Sequence, residues 1–449
     1  MHLRRLELGN YRNYARLELP LQSGLVVFMG SNAQGKTNLL EAINYLATLK
    51  SPITSAERQL IGLAPDDSLL PYTAIVGDFT RGNENHTLEL TLMNTPESDA
   101  DGSRGIVRKQ ARLDGQVQRL IDCVGCFMAV LFLPKDVNLI TGSPGERRRY
   151  LDISLCQQSR RYCRALSQYN RILGQRNALL HQIRERRASA HELEFWDEQI
   201  VELGAFLSAA RVWLCAGLDA RLQDIYPGLS EGRESLQLRY AARVLDDTEA
   251  HWNMAGSLDE ATTPSALAEI TQQLRQALQS AQAEEIARGM TVVGPHRDDL
   301  RFTLNDADAA EMSSRGQQRS IVVALKLAIE PTREIAQCLD DGLLGIGGHV
   351  LPCRAVALDR DRHAVFVIVS SSMGRLGGQL VEVAALRLVQ GIRDAVQLHI
   401  LRRIGTDFRR RAFAIGIVAF ERGAIALRPE ARKPDARLLS HAAAHEADG

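Results

Sequence analysis

The chain has 449 residues, 45% of them hydrophobic and 24% charged, which is enough for two or three domains with their own cores and argues against wholesale disorder. Its 54 basic and 54 acidic residues cancel, so net charge announces no nucleic-acid partner, although a neutral total can hide segregated patches. Met1–Glu7 lacks the apolar core of a secretory signal, and the best apolar run, 412–427, is broken by Glu421 and Arg422 short of the ~18 residues that span a bilayer; a cytoplasmic chain without membrane contact is expected.

Residues 3–8 and 15–19 alternate like short strands, and Leu25–Met29 reads as a buried strand. A glycine-rich loop follows, then a helix with Leu39, Leu40, Ile43, Leu46 and Ala47 on one face. Residues 72–94 read as paired strands, and Pro96–Ser103 as a polar loop. Of the seven cysteines, Cys123 and Cys126 form a lone C-x-x-C without the second pair that a zinc site needs. Buried thiols are expected there, and Cys126–Phe132 reads as a buried strand. From about 147 to 225 the pattern is helical: Tyr169–Ile183 and Leu193–Leu207 form an antiparallel hairpin joined through 186–191. Residues 245–265 are loop-like, and a mixed segment resumes near 291.

Gly30-Ser31-Asn32-Ala33-Gln34-Gly35-Lys36-Thr37 fits G-x-x-x-x-G-K-[ST], with a buried strand before it and a helix after it. The glycines let backbone N–H groups turn around a phosphate, and the helix dipole adds to their pull. In such a loop Lys36 reaches the β- and γ-phosphates of ATP, and the Thr37 hydroxyl is the Mg2+ ligand. A glycine-rich turn before a helix is the bland alternative, and the strand–loop–helix context weighs against it. Ser313–Arg319, containing Ser314-x-Gly316-Gln317, precedes the apolar helix Ile321–Ile329. Alone it is explained as a polar N-cap; beside a phosphate loop it also fits the helix N-terminus with which ABC-type ATPases hold a partner's γ-phosphate.

Six stretches resemble the RecF family, SMC-like ABC-type ATPases of bacterial DNA repair: Asn10–Tyr14, Gly30–Ile43, Pro134–Asp152, Tyr169–Leu180, Gly294–Leu300 and Ser314–Leu327. Lys135 departs from the acidic residue usual after Pro134. The resemblance implies an α/β fold, an ABC-type P-loop ATPase head with an inserted antiparallel helical lobe. Residues 1–146 would form the N-terminal part of the head, 147–290 the lobe and 291–330 the signature part. It further implies an ATP-dependent homodimer, each ATP lying between Gly30–Asn38 of one copy and Ser314–Gln317 of the other, with Arg12 and Asn13 beside the nucleotide. Gapped or single-stranded DNA, RecO and RecR are the implied partners, and SOS induction the implied context.

Between Arg160 and Arg187 stand eight arginines and one acid, Glu185, just after Arg147, Arg148 and Arg149. Such a stripe suits a phosphate backbone. Equally, the acids Glu192, Glu194, Asp197, Glu198 and Glu202 of the next helix suit charge pairing within the hairpin. His296 reads as a hydrogen-bonded structural residue.

Residues 331–449 contain no Asn, Tyr or Trp, and one lysine against sixteen arginines. An ABC-type ATPase needs an apolar strand ending in Asp and a second acid, to hold Mg2+ and polarise water. Only Asp340 and Asp341 after Cys338-Leu339 stand nearby, on a poor strand at too short a spacing. Divergence or fusion is one account of this tail and a reading-frame shift near residue 330 is the other; the abrupt onset favours the shift. A metal-dependent nuclease segment built on Glu334, Asp359 and Asp361 is a rival function, and a DNA-binding remnant without ATPase activity is a third.

Overall fold

A computed structural model describes residues 1–22, 25–28, 30, 32–62, 71–95, 106–244, 257–329 and 366–369. In β1 (His2–Tyr11) the side chains of Leu3, Leu6, Leu8 and Tyr11 are all buried. Leu3 and Leu6 are an odd spacing apart, and a register shift between Leu3 and Arg5 restores both to one face. β2 (Tyr14–Pro20) pairs on one side of β1; β3 (Leu25–Phe28) leads to the phosphate loop. β4 (Tyr72–Arg81), β5 (Glu84–Thr95), β6 (Ile106–Leu113) and β7 (Gln116–Gln118) complete an antiparallel sheet in the order β2-β1-β4-β5-β6-β7.

Helix α1 (Lys36–Thr48) packs on this sheet with Leu39, Leu40, Ile43, Leu46 and Ala47 buried, as their spacing predicts. Gly77 of β4 permits the approach, since a Cβ there would meet Leu46 Cδ1 at 2.6 Å. Residues of this first core run from Leu3 to Phe127.

A second core runs from Leu139 to Ile329. It joins α2 (Pro144–Gln158), α3 (Arg160–Arg184), α4 (Leu193–Ser230) and α5 (Pro264–Arg288) to the antiparallel strands β8 (Leu236–Ala241), β9 (Asp299–Leu304) and β10 (Ala307–Asp308). Helix α6 (Arg315–Ala328) inserts Ile321, Val322, Ala324, Leu325 and Ala328 into the same core. The segment after 291 thus shares its interior with the helices. α3 and α4 form the predicted antiparallel hairpin, about 38 and 57 Å long at ~1.5 Å per residue. One 18-residue stretch within α4 is apolar enough to cross a membrane, although charged residues interrupt the helix as a whole. Its apolar stretch is 67% buried inside the protein, which explains the composition by core packing.

Cys126–Phe132 does not form the expected strand; it is an irregular connection in which Cys126 and Phe127 are buried. Strand-like composition there reflects burial between elements rather than a ladder. Cys123, Cys126, Cys156, Cys163 and Cys215 are free thiols, and burial pushes Cys123 up to about 11. Among the described residues no cluster of His, Cys, Asp or Glu is arranged to hold a metal. The predicted loop at 96–103 lies outside the described residues, as does 245–256 of the loop expected at 245–265. The rest of that stretch is not a plain loop, since it holds a helical turn, Leu258–Ala261, and the start of α5 at Pro264.

Candidate nucleotide site

The loop between β3 and α1 is built on left-handed backbone. Ala33 has φ 66° and Gly35 φ 93°. A Cβ on Gly35 would meet Asn13 Nδ2 and the Tyr14 hydroxyl at 2.7 Å, so both conformation and space require glycine. Lys36 is buried, and its Nζ donates to the Gly30 carbonyl at 2.7 Å, placing the ammonium across the loop. Thr37 is exposed at the helix start, and no acid occupies the first turn of α1. The positive end of α1 therefore faces the loop with no carboxylate in the helix's own first turn. Asn32, Ala33 and Gln34 are exposed; Ser31 lies outside the described residues.

Asn13 and Arg12 divide their roles. Asn13 touches the loop, its Oδ1 accepting from Asn38 Nδ2 at 2.8 Å. The Arg12 guanidinium instead forms a fork on Glu41, at 2.9 and 2.7 Å. Glu41 is fully buried one turn beyond Thr37 and also accepts from the Ser51 hydroxyl. Sequence reading missed Glu41 and Ser51; the available signal was a carboxylate within the apolar face of α1. Tyr14, whose hydroxyl reaches the Gln34 carbonyl at 3.5 Å, was likewise not singled out.

At the other motif, Ser314 caps α6. Its Oγ accepts from the Gln317 N–H at 3.3 Å, and Gln317 Oε1 accepts from the Ser314 N–H at 2.7 Å. This reciprocal pair is a capping box. Ser314, Arg315 and Gly316 are exposed, and again no acid lies in the first turn. The phosphate loop sits on the first core and this cap on the second.

The most specific motifs interlock as architecture. Arg147 makes a two-pronged ion pair with Asp299 at 2.7 and 2.8 Å, and Arg148 donates to the Asp298 carbonyl. Arg149 donates to the Ser51 carbonyl. Arg147 and Arg148 are thus turned to internal partners and do not extend the arginine stripe, whereas Arg149 remains exposed. His296 Nδ1 accepts from the Tyr169 hydroxyl at 2.8 Å, and its Nε2 donates to the Thr291 carbonyl. Burial pushes this imidazole down to about 4, so it is the neutral, hydrogen-bonded residue expected. Lys135 donates to the Pro52 carbonyl, tying its segment to the chain beyond α1.

Of the eight arginines between 160 and 187, Arg176 alone is buried, paired with Asp197 at 2.7 Å and with Glu285 at 2.7 Å. The other seven are exposed. Arg164 pairs with Asp122 and Arg187 with Glu185, so among the described residues the acids of α4 take up only Arg176 from the stripe.

Beside the phosphate-loop strand runs β11 (Phe366–Val369), parallel to β3 in the register Phe366↔Leu25 to Val369↔Phe28. In the sequence Val369 is followed by Ser370, Ser371 and Ser372, with no carboxylate. Asp340 and Asp341, and the nuclease candidates Glu334, Asp359 and Asp361, lie outside the described residues.

An AAA ATPase domain family matches residues 1–104. The DNA replication and repair protein RecF of Chloroflexus aurantiacus is 39% identical over 333 residues, 73% of this chain and 81% of that protein. RecF of Herpetosiphon aurantiacus is 39% identical over 334 residues, and that of Bacillus velezensis 35% over 329. Two solved structures of the recombination mediator protein RecF in the RecFOR pathway, one with ATP and one with ATPrS, superpose with a TM-score of 0.61 at 27% identity. Each match covers 73% of this chain and 80% of the solved one. The chain belongs to the RecF family of DNA replication and repair proteins, with an ABC-type ATPase head and an inserted helical lobe.

Proposed function

We propose that this chain binds ATP with Mg2+ at Gly30–Thr37 and works at single-stranded or gapped DNA in the cytoplasm, as an ATP-dependent homodimer acting with RecO and RecR. Replication restart and SOS induction are its context. The observation that carries the reading is the loop itself: left-handed Ala33 and Gly35, with Lys36 spanning to Gly30 at the N-terminus of α1, whose first turn holds no acid. The donor set suits a triphosphate, and the exposed Thr37 hydroxyl suits Mg2+. The solved RecF relatives act in the RecFOR pathway, which supports RecO and RecR as partners. Separation of the two motifs onto different cores supports pairing of two copies, since the cap of one can then face the loop of another.

A second reading keeps ATP and DNA binding but removes efficient hydrolysis. It is favoured by β11, which lies beside β3 and leads into serines rather than an acid.

Lys36→Ala tests the site. Removal of the cation placed for the β/γ-phosphates should weaken equilibrium binding of a fluorescent ATP analogue by well over tenfold, more than about 1.4 kcal/mol. Unchanged affinity would sink the assignment.

A further inference from the structure

Gln317 does more than close its capping box. Its Nε2 donates to Glu234 Oε1 at 2.7 Å, and the other carboxylate oxygen of Glu234 accepts from the Tyr226 hydroxyl at 2.7 Å. Tyr226 is buried near the end of α4, and burial together with the Glu234 hydrogen bond raises its phenol above the ordinary range, so it stays a donor. The backbone around Glu234 is itself held: the Ser235 N–H donates to Asn305 Oδ1 at 2.8 Å, and the Ser235 carbonyl accepts from the Asn305 N–H at 2.9 Å. A chain of hydrogen bonds therefore runs from the turn at Asn305 and the end of α4 to the first turn of α6.

The arrangement is directional. Gln317 turns its amide nitrogen inward to Glu234 and its carbonyl oxygen to the Ser314 N–H, while Ser314, Arg315 and Gly316 remain exposed. The Ser314 oxygen accepts within the box, which leaves its proton available to an incoming oxyanion. α6 has no acid in its own first turn, and Glu234 places a carboxylate against that turn through Gln317.

We propose that Glu234, backed by Tyr226, is a positioning residue for the Ser314–Gln317 cap, fixing it for the triphosphate held by a second copy of the chain. This rests on the reading that ATP joins two copies.

The test uses the full chain and its Glu234→Ala and Glu234→Gln variants, with ATP-driven self-association followed by sedimentation velocity. Melting temperature and binding of a fluorescent ATP analogue at low protein concentration are measured in parallel. Glu234→Ala should raise the protein concentration for half-association about tenfold, with nucleotide affinity unchanged and only the small loss of melting temperature that follows from unpairing the Tyr226 hydroxyl. Glu234→Gln, which still offers an acceptor to Gln317, should stay near wild type. In a Gln317→Ala background Glu234→Ala should add nothing, because it acts through that side chain. Wild-type association by Glu234→Ala, or an undiminished effect without Gln317, overturns the assignment alone. An effect that only tracks lost melting temperature does the same. A wild-type chain that stays monomeric with ATP overturns the dimer reading and the assignment with it.

Discussion

Burial of the His296 imidazole has a measurable consequence for stability. Folded, it titrates at about 4, against 6.5 for the exposed side chain. Between those values the unfolded chain holds the extra proton, so its contribution is complete above about pH 6.5 and is lost as pH falls toward 4. From pH 7 to pH 5 this amounts to about 2 kcal/mol. Urea unfolding at both pH values should show that loss in wild type and a flatter dependence in His296→Asn; equal slopes would remove His296 as the cause. This histidine was legible from the sequence as structural, as Lys36 and Gly35 were legible from their spacing. Arg12 was not. A motif gives the residue type, whereas the fork from Arg12 to Glu41 depends on which carboxylate the fold buries nearby. That information lies in tertiary contacts.

At the level of elements, α3 resolves an ambiguity that composition left open. Arg160, Arg164 and Arg171 recur at helical spacing along its exposed side, and Arg184, Arg186 and Arg187 are exposed where the hairpin turns. Arg184 donates to the Arg288 carbonyl and to His181, and Arg187 pairs with Glu185. None of the three leans on the acids of α4, so reversing them should leave the hairpin folded. The buried Arg176 is different: it links α3 to Asp197 of α4 and Glu285 of α5. Arg184→Glu/Arg186→Glu/Arg187→Glu should therefore weaken gapped-DNA binding at low salt and shallow its salt dependence, because fewer counterions are released. Its melting temperature should be near wild type. Normal DNA binding by the triple variant would move the DNA surface off this stripe. Helix periodicity made α1, α3 and the start of α4 readable. The run at Cys126–Phe132 was misread because burial alone imitates a strand, and β11 was missed because four residues carry no period.

For the whole molecule, binding and hydrolysis draw on different parts of the chain. Gly30–Thr37, the proposed phosphate cradle, lies on the first core, with Ser31 outside the described residues. Cleavage also needs a carboxylate beside the metal and a clamp on the γ-phosphate. The cap at Ser314 is formed, whereas among the described residues the strand beside β3 is Phe366–Val369, followed in sequence by serines. The match to the Chloroflexus relative leaves 27% of this chain and 19% of that protein unaligned. That fits a tail that departs from the family after residue 330, and the loss of Asn, Tyr and Trp there favours a shifted frame over gradual divergence. We therefore expect this polypeptide to bind ATP yet release phosphate little above background, even with DNA. A chimera carrying an intact relative's tail after Glu330 should hydrolyse ATP readily under the same conditions, measured as steady-state phosphate release. If the unmodified chain turns over as fast as the chimera, and Asp341→Asn abolishes that turnover, then Cys338–Asp341 is a working acidic motif. The tail is then divergent rather than frame-shifted.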